Sequence, residues 1–206
     1  MLVIGLTGSI GMGKSTAAAR FRELGIGVCD ADAEVHKLYE GGPAVHAIEA
    51  AFPGTTTNGR VDRQKLAQVL LANPSQFARL ESIVHPMVRE AERDFLRAEM
   101  ASGASMAVLE IPLLLEGGGH GRVDVVVVVS APADIQRERV LARPGMSLEK
   151  LEQILARQLH DGEKRARADF VVDTGGTLAE SAAQVDNIVE SLQGRGGEAY
   201  AKHWAR

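Results

Sequence analysis

The chain has 206 residues, room for one medium domain with an added lobe, and a chain of that size buries about 70% of its unfolded surface without a disulfide or structural metal. Its 23 Lys and Arg against 27 Asp and Glu leave a net charge of −4, with the two signs interleaved; that excludes a global electrostatic grip on nucleic acid while allowing a local arginine pocket for a small anion. The single cysteine, Cys29, makes neither an internal bridge nor a multi-cysteine zinc site, and it fits a reducing cytoplasm. The opening "MLVIGLTG" lacks a basic region, and the longest apolar stretch, Val125 to Ser130, is far short of the roughly 20 residues of a membrane helix. A soluble, cytoplasmic protein without membrane attachment is expected.

Val3, Ile4 and Leu6 form a short apolar run without alternation, the pattern of a strand covered on both faces. "TGSIGMGKST" follows. Lys14 to Leu24 reads as a helix with Ala17, Ala18, Phe21 and Leu24 on its inner stripe and Gly25 as its stop. "GVCDAD", Gly27 to Asp32, is a second strand ending in two carboxylates, and further apolar strands are predicted at Met106–Ile111, Val123–Ser130 and Phe170–Asp173. Strands alternating with helices predict an α/β fold, a doubly wound parallel sheet of about five strands.

About seventy residues separate the second and third strands, where a crossover needs only a dozen or more. Asp62 is a predicted N-cap before "RQKLAQVLLA", and His85-Pro86-Met87 is expected to break the helical run that resumes at "VREAERDFLRAEM". This segment is either a helical lobe that holds a second substrate or a surface insertion. "RERVLARPGMSLEKLEQILARQ" predicts a helix, a Pro-Gly turn and a second helix started by Ser147, and the residues from Gly194 look like a frayed end in which Tyr200 and Trp204 either dock on the body or fray. The expected plan is a single domain. Its core is residues 1–33, 103–136 and 159–193, its helical lobe 34–102, its lid 137–158 and its flexible tail 194–206.

Gly8, Gly13, Lys14 and Ser15 satisfy GxxxxGKS, with Gly11 inside the loop, between a predicted strand and a predicted helix. Glycines let successive main-chain N–H groups converge on phosphate oxygens, and the helix that follows presents its positive end. Lys14 places a point charge on the β and γ phosphates, and the Ser15 hydroxyl suits the Mg²⁺ that travels with them. Binding of a nucleoside triphosphate follows. No other set of His, Cys and carboxylates has metal-ligand spacing, so no further metal is expected.

A GTPase switch needs an Asn-Lys-x-Asp element, yet Asn58, Asn73 and Asn187 all lack a following lysine, and "DTGG" at Asp173 comes after the last strand. Asp30 and Asp32 point instead to group transfer, because ligands of parallel sheets sit beyond the carboxyl ends of the strands and a carboxylate there can take a proton from an alcohol. On an extended segment the two side chains face opposite ways, so only one is the base. The competing reading is that Asp32 caps the next helix. Gln136, Arg139 and Arg143, spaced i, i+3 and i+7, share a predicted helix face and either neutralise charge on the transferred group or form a solvated surface. His85 at a predicted helix break is open to a structural reading.

"IGLTGSIGMGKST", "GVCDAD", "IVHP", "IPLLLE", "RPGMS", "ILARQ" and "EKRARAD" resemble, in order and spacing, the bacterial dephospho-CoA kinases, from Leu2 to about Ile188. The resemblance implies transfer of the ATP γ-phosphate to the 3′-hydroxyl of the ribose of dephospho-coenzyme A, with ATP and dephospho-CoA as small-molecule partners; a monomer is expected, although nothing in the sequence reveals oligomeric state. By matching position it makes Asp32 the base with Asp30 beside it, and Gly11, Met12, Gly13, Lys14, Ser15 and Thr16 the ATP loop. It puts Arg139 and Arg143 in a mobile lid, and His85, Pro86, Leu113, Leu114 and Glu116 along the acceptor cleft. Glu110 stands where the third strand often carries Asp or an apolar residue, and is given no Mg²⁺ role; Thr174 follows Asp173 where Asn is usual. The alternatives are another P-loop kinase of nucleosides or nucleotides, and a regulatory protein that binds ATP without transferring it.

Overall fold

In a computed structural model, which describes residues 1–205, each apolar run becomes a strand. β1 (Leu2–Thr7) runs through the glycine loop into α1 (Lys14–Glu23), then β2 (Gly27–Asp30), α2 (Ala31–Tyr39), α3 (Pro43–Ala51), β3 (Thr56–Thr57), β4 (Arg60–Val61), α4 (Arg63–Ala72) and α5 (Gln76–Ala101). β5 (Met106–Glu110), β6 (Val125–Ser130), α6 (Ala133–Leu141), α7 (Leu148–Leu155), α8 (Asp161–Ala166), β7 (Phe170–Asp173) and α9 (Leu178–Leu192) complete the regular elements. Short turns of tighter and wider helix cover Gly119–Arg122 and Tyr200–Trp204. No helix among the described residues is long and apolar enough to cross a membrane.

The parallel sheet has the order β2-β5-β1-β6-β7, with Ile4 opposite Val108 on one side and Val125 on the other. β1, β5 and β6 are buried along their whole length because both faces are covered. Leu2, Ile4, Leu6, Val125, Val127 and Val129 meet Phe21 of α1 and Val185 and Leu192 of α9, whereas Val126 and Val128 turn the other way onto Leu114 and Leu115. That alternation is the period of two of a strand, hidden in the sequence because both faces are apolar.

Two compact units divide the chain: Met1–Cys29 with the residues from Leu96 on, and Asp30–Phe95. The second holds α2, α3, a β3–β4 hairpin, α4 and most of α5, around buried Ala44, Val45, Ile48, Phe52, Leu66 and Leu70. Asp62 caps α4 as expected, accepting the amides of Gln64 and Lys65 at 3.1 Å. The hairpin is an addition to a segment read as helical. Its turn is Asn58-Gly59, with Asn58 at φ 53°, the left-handed backbone that a two-residue hairpin turn demands.

Three expectations are corrected. Pro86 does not break the helix: α5 runs unbroken from Gln76 to Ala101, with Pro86 exposed beside exposed Ser82 and His85 while Val84 and Val88 are buried. The carbonyl left without a donor belongs to Ser82 on the wet side, where water can serve it, and burial of the other face outweighs the loss. Gly27 to Asp32 is not one extended segment; the strand ends at Asp30 and helix begins at Ala31. Nor are the described residues near the end frayed. Trp204 is 2% exposed and donates its indole N–H to the Arg122 carbonyl at 2.9 Å, under the Arg122 guanidinium, while Asp124 accepts the amides of Glu198 and Ala199 at 2.7 and 2.8 Å.

Helix α1 is tied to α9 by a two-pronged ion pair, Arg20 Nε and Nη2 on the two Asp186 oxygens at 2.7 and 2.8 Å, which holds the Asp186 carboxyl below its ordinary 3.8. A depressed carboxyl stabilises the fold fully above its ordinary value and loses that contribution as pH falls through the folded one. Asp186→Asn is therefore expected to melt below wild type at pH 7, with the gap closing only below pH 3.8; calorimetric melts along a pH series check this, and a gap unchanged in acid contradicts it.

Candidate active site

The glycine loop leaves the carboxyl end of β1, the edge at which parallel sheets bind ligands. At Gly8 a methyl group would collide with the Val129 side chain and lie 2.7 Å from the Val129 carbonyl oxygen, so the loop starts where only main chain fits. Gly13, which begins α1, has φ 82°, a region open mainly to glycine. No side chain caps α1 and its first turn carries no acidic residue, whereas Asp30, Asp62, Ser147 and Thr177 cap α2, α4, α7 and α9. The N–H groups at the head of α1 are thus not taken by a side-chain cap, and the helix dipole adds positive charge there. Ser15 and Thr16 are exposed on that first turn. Met12 contributes main chain only: its side chain is 2% exposed, and its sulfur accepts the Ala131 amide.

Lys14 reaches Glu110 Oε1 at 3.1 Å, and Glu110, at the end of β5 beside β1, is 2% exposed. A carboxylate so deeply buried needs a cation. Lys14 is therefore held over the loop by the residue that departs from the family pattern.

Thr174 was overlooked as a support. It is 4% exposed, its hydroxyl lies 2.8 Å from the Met12 carbonyl and 3.2 Å from the Ser130 carbonyl, and it receives Arg139 Nη1 at 3.2 Å while its own carbonyl takes Arg139 Nη2 at 2.6 Å. A methyl on Gly13 would lie 3.0 Å from that hydroxyl. One side chain thus joins the loop, the end of β6 and the first arginine. The sequence holds no motif for it beyond its place after a strand end.

Arg139 and Arg143 do not share a helix face. α6 ends at Leu141, and Arg143 sits exposed in the turn, its amide bonded to the Val140 carbonyl. Pro144 contributes to that end, because proline disfavours helical backbone at the residue before it. Leu114, at 1% exposure, packs in the core rather than lining any surface, while Leu113 is 43% exposed. Glu116 is engaged on one oxygen, accepting the Leu159 amide and pairing with buried Lys164, both at 2.8 Å.

In the other unit, Asp30 is the N-cap of α2. Its Oδ1 accepts the amides of Asp32 at 2.9 Å and Ala33 at 3.1 Å, so capping falls to Asp30 and not to Asp32. Asp32 lies in the first turn of α2, and His85 and Pro86 lie on the exposed side of α5. Among the described residues no group of three or more His, Cys, Asp or Glu is placed to hold a metal ion.

Thr174→Val keeps the volume but leaves the Met12 carbonyl without its hydroxyl donor, a loss of about 1–3 kcal/mol. The variant is expected to melt several degrees lower and to bind ATP more weakly, as scanning and titration calorimetry would show; a wild-type melt and affinity would rule out the support.

A family model described as dephospho-CoA kinase matches residues 2–180. A dephospho-CoA kinase of Mesorhizobium japonicum is 55% identical over 197 residues, 96% of this chain and 100% of that protein. The crystal structure of the Thermus thermophilus protein TT1252 superposes with a TM-score of 0.80 at 36% identity, covering 94% of this chain and 98% of the other. A dephospho-CoA kinase of Campylobacter jejuni gives 0.69 at 25% identity, covering 92% and 96%. With a family match over most of its length and a relative more than half identical from end to end, the chain belongs to the dephospho-CoA kinase family.

Proposed function

We propose that this kinase transfers the γ-phosphate of ATP directly to the 3′-hydroxyl of the ribose of dephospho-coenzyme A, with Asp32 as the base. The carboxylate takes the hydroxyl proton as the oxygen attacks γ-phosphorus, the bond from γ-phosphorus to the bridging oxygen breaks, and ADP leaves. Main-chain amides from Gly11 to Thr16 cradle the phosphates, Lys14 exchanges Glu110 for phosphate oxygens, and Arg139 with Arg143 neutralises charge on the moving group. The Ser15 hydroxyl, exposed beside Lys14 on the first turn of α1, is an oxygen donor of the kind magnesium accepts. Bound with ATP, that ion would offset phosphate charge. The α6–α7 segment acts as a lid that limits loss of ATP to water. His85, Pro86, Leu113 and Glu116 serve the acceptor side, and the enzyme works as a cytoplasmic monomer.

The observation that carries the choice of base is the division of labour at the start of α2. Asp30 fills the cap, so capping does not account for a second carboxylate two residues beyond the β2 strand end.

ATP·Mg²⁺ offered with dephospho-CoA, AMP, adenosine or pantothenate should release ADP only with the first. Release with a nucleoside or nucleotide alone would point to a different kinase, and release with none to a binding protein. Asp32→Asn is expected to bind ATP near wild type and lose about 10²- to 10⁴-fold in kcat. Lys14→Ala should lose turnover through weakened phosphate contacts, so its ATP affinity falls as well. Turnover of Asp32→Asn within a few fold of wild type would remove Asp32 as the base.

A further inference from the structure

We infer that Gln136 and Gln158 are positioning residues for the phosphate loop, gripping one residue of it from the two arms of the α6–α7 segment. The inference rests on the reading of the loop as the ATP cradle. Ile10, in the middle of the loop, donates its N–H to Gln158 Oε1 at 3.2 Å, and its carbonyl accepts Gln136 Nε2 at 2.7 Å. Gln136 lies on α6, 6% exposed, and Gln158 lies just beyond α7. Both polar main-chain groups of one residue are therefore engaged by side chains far along the chain.

The bonds fix two successive peptide planes. The Ile10 N–H belongs to the plane shared with Ser9, and the Ile10 carbonyl to the plane shared with Gly11. In a trans peptide the N–H points opposite to the carbonyl. Drawing the Ile10 carbonyl toward Gln136 aims the Gly11 N–H the other way, which orients a donor of the proposed cradle before ATP arrives. Such preorganised amides are what phosphoryl transfer draws on.

A cavity of about 570 Å³ has Ser9, Met12, Gln136, Gln158 and Asp161 in its lining, so the two glutamines hold the loop at the wall of an open space. Gln158 is itself anchored. The next amide, that of Leu159, is held by Glu116 at 2.8 Å, and Glu116 is paired with Lys164, which is fully buried. The ion pair thus fixes the backbone from which Gln158 reaches the loop.

The two glutamines have opposite hydrogen-bond roles, which gives the test its sign. Glutamate is nearly isosteric with glutamine and accepts but does not donate when ionised. Gln158→Glu keeps the acceptor that Ile10 N–H needs, whereas Gln136→Glu sets an acceptor against a carbonyl. Gln136→Glu is expected to lose at least about tenfold more in ATP affinity and in kcat/KM for ATP than Gln158→Glu. Equal losses, or a larger loss at Gln158, would overturn the inference; because Gln136 is also the more deeply buried of the two, uncharged variants separate hydrogen bonding from the burial of charge.

Gln136→Met and Gln158→Met remove each bond without charge, and both should weaken ATP binding several fold; wild-type affinity in both would also overturn it. If Gln136→Glu does not fold, the methionine pair decides. Titration calorimetry with ATP reads the inference without any transfer step. Wild-type protein that binds ATP but releases no ADP with dephospho-CoA would fault the proposed reaction and leave the loop support standing.

Discussion

The structure depends on main chain coming closer to its own sheet than any side chain would permit. At Gly8 the loop passes against Val129 with no room for a methyl, and at Gly13 it turns into α1 with left-handed backbone over Thr174. Both positions follow a fully buried strand whose end cannot shift, because β1 is clamped between β5 and β6. A helix head without a side-chain cap forms where the sheet and the permissive residues meet.

The surroundings of the loop then have one task, to keep a glycine-rich segment from relaxing. Thr174 holds it at the Met12 carbonyl, the two glutamines hold Ile10, and Arg20 with Asp186 ties α1 to α9. Glu116 and Lys164 add a buried ion pair. Such pairs contribute little to net stability compared with apolar packing, yet losing one partner costs about 3–5 kcal/mol, so the pair fixes geometry more than it adds stability. A loop rich in glycine loses much entropy on ordering, and these contacts offset that cost before substrate arrives.

Much of this was legible in the sequence. The strands and α1 declared themselves through apolar runs and through a GxxxxGKS loop between strand and helix, since burial on both faces leaves few polar residues in a strand. Asp62 and Ser147 were readable as caps because local hydrogen bonding sets their role. Other features were set by partners distant in sequence. Thr174 and Glu110 look like departures from the family pattern until their contacts with the loop and Lys14 are seen. Trp204 seemed free to fray because nothing near it in sequence announces the Arg122 carbonyl. Pro86 misled because the local rule against proline ignores which face of the helix is wet, and the Asn58-Gly59 hairpin was missed despite a dipeptide that signals one. Asp30 and Asp32 could not be told apart until the strand end was located, one residue before Ala31.

The most direct test of the main-chain cradle is the ATP affinity of Gly13→Ala, measured by titration calorimetry on protein whose far-ultraviolet circular dichroism matches wild type and whose melt stays cooperative. Backbone at φ 82° and a methyl 3.0 Å from the Thr174 hydroxyl should force the head of α1 to shift. Affinity is then expected to fall at least about tenfold, the scale of the 1–2 kcal/mol that left-handed backbone costs an alanine. Affinity within twofold of wild type would contradict the account, because the loop would then hold ATP without the backbone that only glycine readily provides.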